Sequence, residues 1–205
     1  MTSPQPTPAT LSTSDGHALA ADVARPSPGV ASTAAVVLCH PHPQYGGDRF
    51  NAVVAALFEA LPGAGYAALR FDFRGEFGGG VDERLDVVAA LDHLDSIETL
   101  AIVPRIVVGY SFGAAVALTT SDARIAGLAA IAPPLAMMPA TDPGLPTLVL
   151  TPRHDQFSPP EATEPIVTEW SDVEFDVVES ADHFLAGYTT MVANQVTAWI
   201  DRRFR

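Results

Sequence analysis

One serine of this chain stands in the setting that nucleophilic chemistry requires. Gly109, Ser111 and Gly113 form the pattern GxSxG, between an apolar run that predicts a buried strand and a stretch that predicts a helix. A chain that turns directly from strand to helix strains the backbone of the middle residue, and only small flanking residues permit that turn. The hydroxyl of Ser111 is then lifted above the sheet as a candidate nucleophile.

A serine hydroxyl is a weak nucleophile until a base removes its proton, so a histidine and an acid must lie beside it. Asp155 and His183 each follow a predicted strand, in the chain order Ser, Asp, His. Because the carboxyl ends of parallel strands share one edge of a sheet, the three side chains can meet there. We predict that Ser111 attacks, His183 takes its proton and Asp155 orients the imidazole.

Other residues compete with Asp155 for the acid role. Asp182 is the immediate neighbour of His183, and Asp142 lies in the loop that follows the preceding strand. His154 adjoins Asp155 and would replace it only with a different turn of the loop. The sequence favours Asp155 and leaves Asp142 and Asp182 as alternatives.

The segment after the first buried strand, His40-Pro41-His42-Pro43, is a candidate binding site for a developing oxyanion. Its two prolines have no N–H, so the backbone N–H of His42 is the natural donor there. The N–H of Phe112, at the start of the helix after Ser111, is predicted to be the second donor.

Several side chains near these donors are candidates for the lining of a substrate pocket, namely His40, Tyr45 and Tyr110. The two imidazoles of the His-x-His pair have an equally plausible simple role, as hydrogen-bonded parts of a rigid loop. Arg70, Asp72 and Arg74 alternate along one predicted strand. They form either an ion-pair cluster that supports the loop or plain surface pairs.

A zinc site is the main alternative chemistry, because imidazole and carboxylate groups from four residues could gather at this sheet edge: His40, His42, Asp72 and His183. That hypothesis leaves the serine turn unexplained, whereas the serine mechanism needs no metal. We therefore expect neither a metal nor a cofactor. Cys39 precedes the loop and is interpreted as a small buried strand residue.

Strands and helices alternate along the chain. An initial hairpin is predicted over 11–23. Further strands are predicted over 34–39, 66–73, 106–109, 125–132, 147–151 and 173–179. One helix is predicted to begin at 48, and others are predicted over 82–94, 114–120, 160–170 and 191–204. The helix over 82–94 is expected to have four residues on its inner face, namely Leu85, Val88, Ala89 and Leu91. This pattern predicts an α/β fold with a mainly parallel sheet covered on both sides. Residues 1–10 are expected to be a flexible tail, and 11–205 a single domain.

Composition excludes some partners. The 205 residues contain 24 acidic and 11 basic side chains, all of the latter arginine, which gives a formal net charge of −13. Such a chain should repel nucleic acid and anionic lipid surfaces. No signal peptide and no apolar run of membrane length is apparent. We expect a cytoplasmic monomer or homodimer that acts on a small molecule.

These motifs resemble the α/β-hydrolase superfamily, and within it small, dienelactone-hydrolase-like bacterial serine hydrolases. Such proteins carry HPHPxxGG, FxFRG, GYSFG and DHF, which stand here at 40–47, 71–75, 109–113 and 182–184. The likeness extends from Leu11 to Arg205. It implies the α/β-hydrolase fold, a triad of Ser111, Asp155 and His183, and oxyanion donors at Phe112 and His42.

The chain also departs from this pattern. Dienelactone hydrolases proper have a cysteine at the nucleophile position, so Ser111 argues against that activity. The segment 76–80 reads EFGGG where relatives have a small polar residue between glycines. The stretch 133–146, where such enzymes insert a lid, has room for only a short loop. We expect an open site for small or protruding esters, with thioesters and amides, or binding without catalysis, as alternatives.

Overall fold

The computed structural model describes residues 5–205, which form one eight-stranded sheet and five α-helices. The strands are β1 (Thr7–Ser12), β2 (Ala18–Ala24), β3 (Ala35–Cys39), β4 (Ala67–Phe71), β5 (Arg105–Tyr110), β6 (Ile125–Ile131), β7 (Thr147–His154) and β8 (Val173–Asp182). The helices are α1 (Ala52–Gly63), α2 (Glu83–Asp95), α3 (Phe112–Thr119), α4 (Pro160–Val167) and α5 (Thr189–Phe204). The predicted alternation of strands and helices is confirmed.

The sheet has the order β1-β2-β4-β3-β5-β6-β7-β8. The strands from β4 to β8 in this order pair in parallel, while β1 and β2 form an antiparallel hairpin that pairs antiparallel with β4. This is the mainly parallel sheet of the α/β-hydrolase fold, as predicted. Because the parallel strands all end at one edge, the loops that follow β3, β5, β7 and β8 can share one site.

Helices cover both faces of the sheet. On one face, α1 and α5 pack against alternate strand residues such as Val36 and Leu38, with Trp199 fully buried in that layer. On the other face, α2 and α3 pack against Val37 and Val107. Every residue of β3 and of β5 is buried, which explains why both strands are apolar except for Arg105 at the start of β5.

The inner face of α2 agrees with the prediction in part, since Ala89 and Leu91 are buried as expected. Leu85 and Val88 are only half-buried and line a shallow surface groove, while Glu83 and Asp86 are fully buried. Each of these carboxylates accepts hydrogen bonds from backbone N–H groups of the preceding loop. The two acids are therefore buried in place of Leu85 and Val88, because their carboxylates accept hydrogen bonds from the loop before the helix.

The predicted tail is also shorter than expected. Strand β1 begins at Thr7 and pairs with β2, so residues 7–10 belong to the sheet, while residues 1–4 lie outside the described part of the chain. The prolines indicated a loose segment, but Pro8 lies in an edge strand, where a missing N–H is tolerated.

The segment between β6 and β7 contains turns and bends but no helix that would cover the sheet edge. Leu135 packs into the core, whereas Met137 is exposed. The expectation of a minimal lid is therefore confirmed. Across residues 5–205, no helix combines the length and apolarity needed to cross a bilayer.

Candidate active site

Ser111 is the first residue after β5 and holds an unusual backbone conformation. Its φ of 54° and ψ of −118° lie outside the regions that side chains favour. Its N–H donates to the carbonyl of Ile131 in β6 at 2.8 Å, which fixes the turn to the neighbouring strand. A Cβ on Gly109 would lie 2.2 Å from the Gly113 oxygen, and one on Gly113 would lie 2.4 Å from the Cys39 oxygen. Both glycines are thus required by close backbone contacts.

A chain of two hydrogen bonds joins the three predicted catalytic residues. Ser111 Oγ lies 2.9 Å from His183 Nε2, and His183 Nδ1 lies 2.8 Å from Asp155 Oδ2. Asp155 directly follows β7 and His183 directly follows β8, so strand ends position both. Since a carboxylate only accepts, His183 Nδ1 carries the proton and Nε2 is free to accept from the serine.

The Asp155 carboxylate is held by its own loop. The residue is 3% exposed, and Oδ1 accepts the backbone N–H groups of Phe157 at 2.8 Å and Ser158 at 2.9 Å. These two bonds leave Oδ2 directed at the imidazole. A buried carboxylate with three donors is satisfied without any cation, so its charge is available to stabilise a protonated His183.

A hydrogen bond from the buried side chain of Tyr110 fixes the loop that carries His183. The phenol donates to the His183 carbonyl at 2.7 Å, and burial raises the pKa of Tyr110. The prediction that Tyr110 lines the substrate pocket is wrong, because its ring is buried and its hydroxyl is occupied. Leu185, two residues after His183, has a φ of 55° and is fully buried, so the turn is held by packing.

The competing acids lie elsewhere. Asp142 accepts the N–H groups of Gly144 and Ser171, away from the imidazole, and Asp182 accepts the N–H of Phe184. His154 is exposed. Asp155 is therefore the carboxylate that the fold brings to His183.

The two predicted oxyanion donors belong to the loop after β3 and to the start of α3. The N–H of Phe112 is in the first turn of α3, where a helix offers no acceptor of its own. No hydrogen bond of the His42 N–H is found among residues 5–205. His42 begins a short 3-10 turn over Pro43–Tyr45, and its ring packs on Phe112 with the centroids 4.7 Å apart.

His40 has a different role from the one predicted. It is 1% exposed, its Nδ1 lies 2.6 Å from the Pro41 carbonyl, and its Nε2 accepts the N–H of Phe73 at 2.9 Å. Because Nε2 accepts, the proton of the neutral ring is on Nδ1, and burial lowers the pKa of this histidine. His40 does not line a pocket. It orients the peptide unit that joins Pro41 to His42, and so the N–H of His42.

Further contacts close and anchor the loop after β3. The His42 carbonyl accepts the N–H groups of Tyr45 and Gly47, both at 3.1 Å, and a Cβ on Gly47 would lie 2.0 Å from the Pro41 oxygen. At its far end, Arg49 donates through its backbone to Asp72 at 2.8 Å, and its guanidinium pairs with the same carboxylate.

The alternating charges of β4 and its following loop take part in this anchoring. Arg49 and Arg70 both donate to Asp22, at 3.2 and 3.0 Å. The ion-pair cluster that supports the loop is therefore present. Arg74 forms a separate buried pair with Asp86, at 2.7 Å.

Comparison with known proteins agrees with this geometry. A family model described as "Alpha/beta hydrolase family" matches residues 36–204. The chain belongs to the alpha/beta hydrolase family. An uncharacterized protein of Rickettsia prowazekii is 31% identical over 168 residues, which cover 72% of this chain and 70% of that protein.

Solved structures similar to this hydrolase include proteins described as serine hydrolases and as an esterase. An alpha-beta serine hydrolase homologue from Coxiella burnetii superposes with a TM-score of 0.82 at 28% identity, over 97% of this chain and 98% of the other. A serine hydrolase without a lid from Xanthomonas campestris gives a TM-score of 0.85 at 24% identity, with coverages of 98% and 96%. An esterase from Pyrococcus furiosus gives 0.82 at 17% identity, with coverages of 98% and 93%. The last two likenesses concern the fold alone.

Around Ser111, this hydrolase carries aromatic side chains that sequence analysis largely missed. Tyr45, which was predicted to line the pocket, is 88% exposed, and its ring is edge-on to the ring of His42. Phe77 also contacts His42, with ring centroids 4.7 Å apart. Phe157 and Phe184 contact the ring of His183 at 4.7 and 5.8 Å. The motifs EFGGG and DHF contained two of these residues, but a motif does not show which way a ring points.

The loop that carries Phe77 is held by one buried acid. Glu83 accepts the N–H groups of Gly78 at 2.8 Å and Gly80 at 2.9 Å. The glycine-rich segment 76–80 is therefore tied to the start of α2. This places the ring of Phe77 beside the rings of His42 and Phe112.

The four residues of the zinc hypothesis do not share a site. His40 bonds to backbone groups, Asp72 pairs with Arg49, and His183 binds Ser111 and Asp155. Within residues 5–205, no three His, Cys, Asp or Glu side chains are grouped so as to hold an ion. Cys39 is buried, and burial raises the pKa of its thiol, so it has the inert character expected of a strand residue.

Proposed function

We propose that this protein is a serine esterase that cleaves small or protruding esters through an acyl-enzyme on Ser111. The observation that carries the proposal is the unbroken path from Ser111 Oγ through His183 to the buried carboxylate of Asp155, with links of 2.9 and 2.8 Å. Nucleophile, base and orienting acid within hydrogen-bond reach are what acyl transfer requires.

In the first half of the reaction, Ser111 Oγ attacks the ester carbonyl carbon as its proton passes to His183 Nε2. Asp155 stabilises the imidazolium through the proton on Nδ1. The carbonyl oxygen becomes negative and accepts from the N–H groups of Phe112 and His42, an arrangement worth about 3–4 kcal/mol per donor in comparable enzymes. His183 then protonates the alcohol oxygen, the C–O bond breaks, and the acyl group remains on Ser111.

In the second half, water takes the place of the alcohol. His183 removes a proton from that water, which attacks the acyl carbon and forms a second oxyanion at the same two donors. Collapse returns the proton from His183 to Ser111 Oγ and releases the acid. Each proton removed is restored, so the cycle consumes only ester and water.

The preference for small or protruding esters rests on exposure of the site. Ser111 is half-buried, and the segment between β6 and β7 contains no helix that could cover it. His183 and Phe112 are buried, but four aromatic side chains near them are exposed, namely Tyr45, Phe77, Phe157 and Phe184. An open edge of this kind gives little apolar surface to a long acyl chain, whose binding would need an enclosed cleft. The Pyrococcus furiosus relative of similar fold is an esterase.

The test is covalent labelling together with ester hydrolysis. A fluorophosphonate should label the wild type and not Ser111→Ala, while Ser121→Ala, which alters an exposed serine beyond α3, should label normally. Hydrolysis of p-nitrophenyl esters of graded length should fall with chain length. Activity should drop about 10³-fold or more in Ser111→Ala and in His183→Ala.

Two results would contradict the proposal. Labelling that persists in Ser111→Ala removes the nucleophile assignment. A folded wild type that neither labels nor hydrolyses any ester points to a binding protein built on the hydrolase fold.

A further inference from the structure

The side of Ser111 that receives the alcohol part of the ester can be located from the mechanism. His183 Nε2 must give its proton to the departing oxygen, so that oxygen lies within hydrogen-bond distance of the imidazole. The carbonyl oxygen points the other way, towards the N–H groups of Phe112 and His42. The leaving group therefore begins beside His183, and the acyl group occupies the remaining direction.

Two phenylalanines border this position. Phe157 contacts the His183 ring at 4.7 Å between centroids and Phe184 contacts it at 5.8 Å, both nearly edge-on, at interplanar angles of 69° and 87°. They remain 43% and 62% exposed. A ligand that covers two such rings beside the imidazole removes apolar surface from water, which favours binding by about 25 cal/mol per Å².

Hydrogen bonds fix the backbone at both phenylalanines. The N–H of Phe157 donates to Asp155 Oδ1 at 2.8 Å, and the N–H of Phe184 donates to Asp182 Oδ1 at 3.0 Å. The two rings are thus part of a preformed surface, and a ligand ring that stacks on them orders little additional chain.

The charges around this surface exclude an anionic leaving group. Asp182 stands next to His183, and Arg153, the nearby cation, is already paired with Glu179 at 2.5 Å. No guanidinium is bonded to Phe157, Phe184 or their backbone among residues 5–205. An added carboxylate on the alcohol would meet negative charge without a partner.

We infer that Phe157 and Phe184 form a leaving-group shelf, which selects esters of uncharged alcohols that carry an aromatic ring. The inference rests on the proposed esterase function and deepens it. An aromatic contact of this kind contributes a preference of about 2–10-fold per ring, so the two rings together should favour a benzyl ester over an ethyl ester by about tenfold.

The experiment compares acetates of ethanol, cyclohexylmethanol, benzyl alcohol and 4-carboxybenzyl alcohol. These are primary alcohols of similar acidity, so their intrinsic reactivity is nearly matched, and all form the same acetyl-enzyme. The shelf should therefore raise kcat/KM for benzyl acetate about tenfold over ethyl acetate and leave the deacylation rate unchanged. The cyclohexylmethyl and 4-carboxybenzyl esters should be several-fold slower than the benzyl ester.

Variants assign the preference to the two rings. Phe157→Ala and Phe184→Ala should each lower the benzyl to ethyl ratio about threefold, and the double variant should bring it close to one. Phe157→Leu, which keeps an apolar side chain, should retain part of the ratio. Phe77→Ala is the matched control, because this exposed ring contacts His42 and Phe112 rather than His183. It should change both esters alike and leave the ratio at the wild-type value.

Fluorophosphonate labelling of every variant tests the esterase function separately from the leaving-group preference. A wild type that labels at Ser111 but shows a ratio near one, or a ratio that survives in the labelled double variant, overturns the shelf and leaves the esterase intact. A benzyl ester no faster than the cyclohexylmethyl ester overturns the aromatic preference. Absence of both labelling and hydrolysis overturns the esterase and the shelf together.

Discussion

The two sides of Ser111 are held in place by different means. On the His183 side, the groups that would do chemistry bind each other, and Asp155 is fixed by the N–H groups of its own loop. On the oxyanion side, His42 would contribute only a backbone N–H. Its position depends on the imidazole of His40, which is bonded to the Pro41 carbonyl, and on Arg49, whose backbone and side chain both bond to Asp72.

This difference implies that substitutions in the two regions should lower the catalytic rate in different ways. A substitution on the His183 side removes a reacting or charge-stabilising group and should abolish most of the rate. A substitution among the supports of the oxyanion loop leaves every reacting group present and displaces a donor by a fraction of an ångström. Its effect on rate should be smaller, and graded by how much the support contributes.

The acid should give the largest effect. Asp155→Asn keeps the shape of the side chain but removes the charge and allows the wrong imidazole tautomer, so kcat should fall about 10³–10⁴-fold. Esterase kinetics at pH 7 measure this. Asp182→Asn is the control and should stay within about threefold of the wild type, and a large loss there would return the acid role to Asp182.

The support of the oxyanion loop should come next. His40→Phe keeps a ring but removes both hydrogen bonds, so kcat should fall about 10–100-fold while KM changes little, because the displaced donor acts mainly in the transition state. His154→Phe, the same change at an exposed histidine, is the control. Equal losses in kcat and in the folded fraction would mean that His40 only stabilises the fold.

The anchor at the far end of the loop should matter less. Arg49 is partly exposed, so Arg49→Ala should lower the free energy of unfolding by only about 1 kcal/mol and kcat/KM by about threefold. Urea unfolding and steady-state kinetics measure the two. Arg153→Ala, in an exposed pair with Glu179, should be nearly neutral in stability, and an equal loss there would remove any special role for Arg49.

The smallest expected effect is the contribution of His40 to the pH dependence of the free energy of unfolding. Burial lowers the pKa of His40, so below pH 6.5 the unfolded chain binds a proton that the folded one excludes. Stability should therefore rise with pH up to about 6.5 and then level off, with a slope of at most about 1.4 kcal/mol per pH unit from this group. Unfolding from pH 5 to 7 should show a flatter profile in His40→Phe, and parallel profiles would contradict the account.

The sequence was most informative where a residue's place follows from the strand before it. Ser111, Asp155 and His183 are each the first residue after a parallel strand, so recognising the strands was sufficient to bring them to one edge. The same reasoning placed the oxyanion loop after β3. Residue type and strand order together carried this part of the prediction.

The sequence was least informative where a role depends on a distant partner. His40 and Tyr110 looked like pocket residues, but their partners are the N–H of Phe73 and the carbonyl of His183, 33 and 73 residues away. No local pattern indicates such a bond. The exposed faces of Phe157 and Phe184 were missed for the same reason, because exposure is settled only when all the loops are assembled.

The close contacts of Gly109 and Gly113 bear on how this protein can evolve. Replacement of either glycine even by alanine would force backbone atoms apart, with no flexible side chain to absorb the shift. The two positions between the glycines and Ser111 are occupied by Tyr110, which bonds to the His183 carbonyl, and by the buried Phe112. All five positions of the pentapeptide are therefore closed to neutral drift. Related proteins with other substrates should instead differ at the exposed aromatic side chains around Ser111, where a substitution can alter substrate binding without displacing the nucleophile.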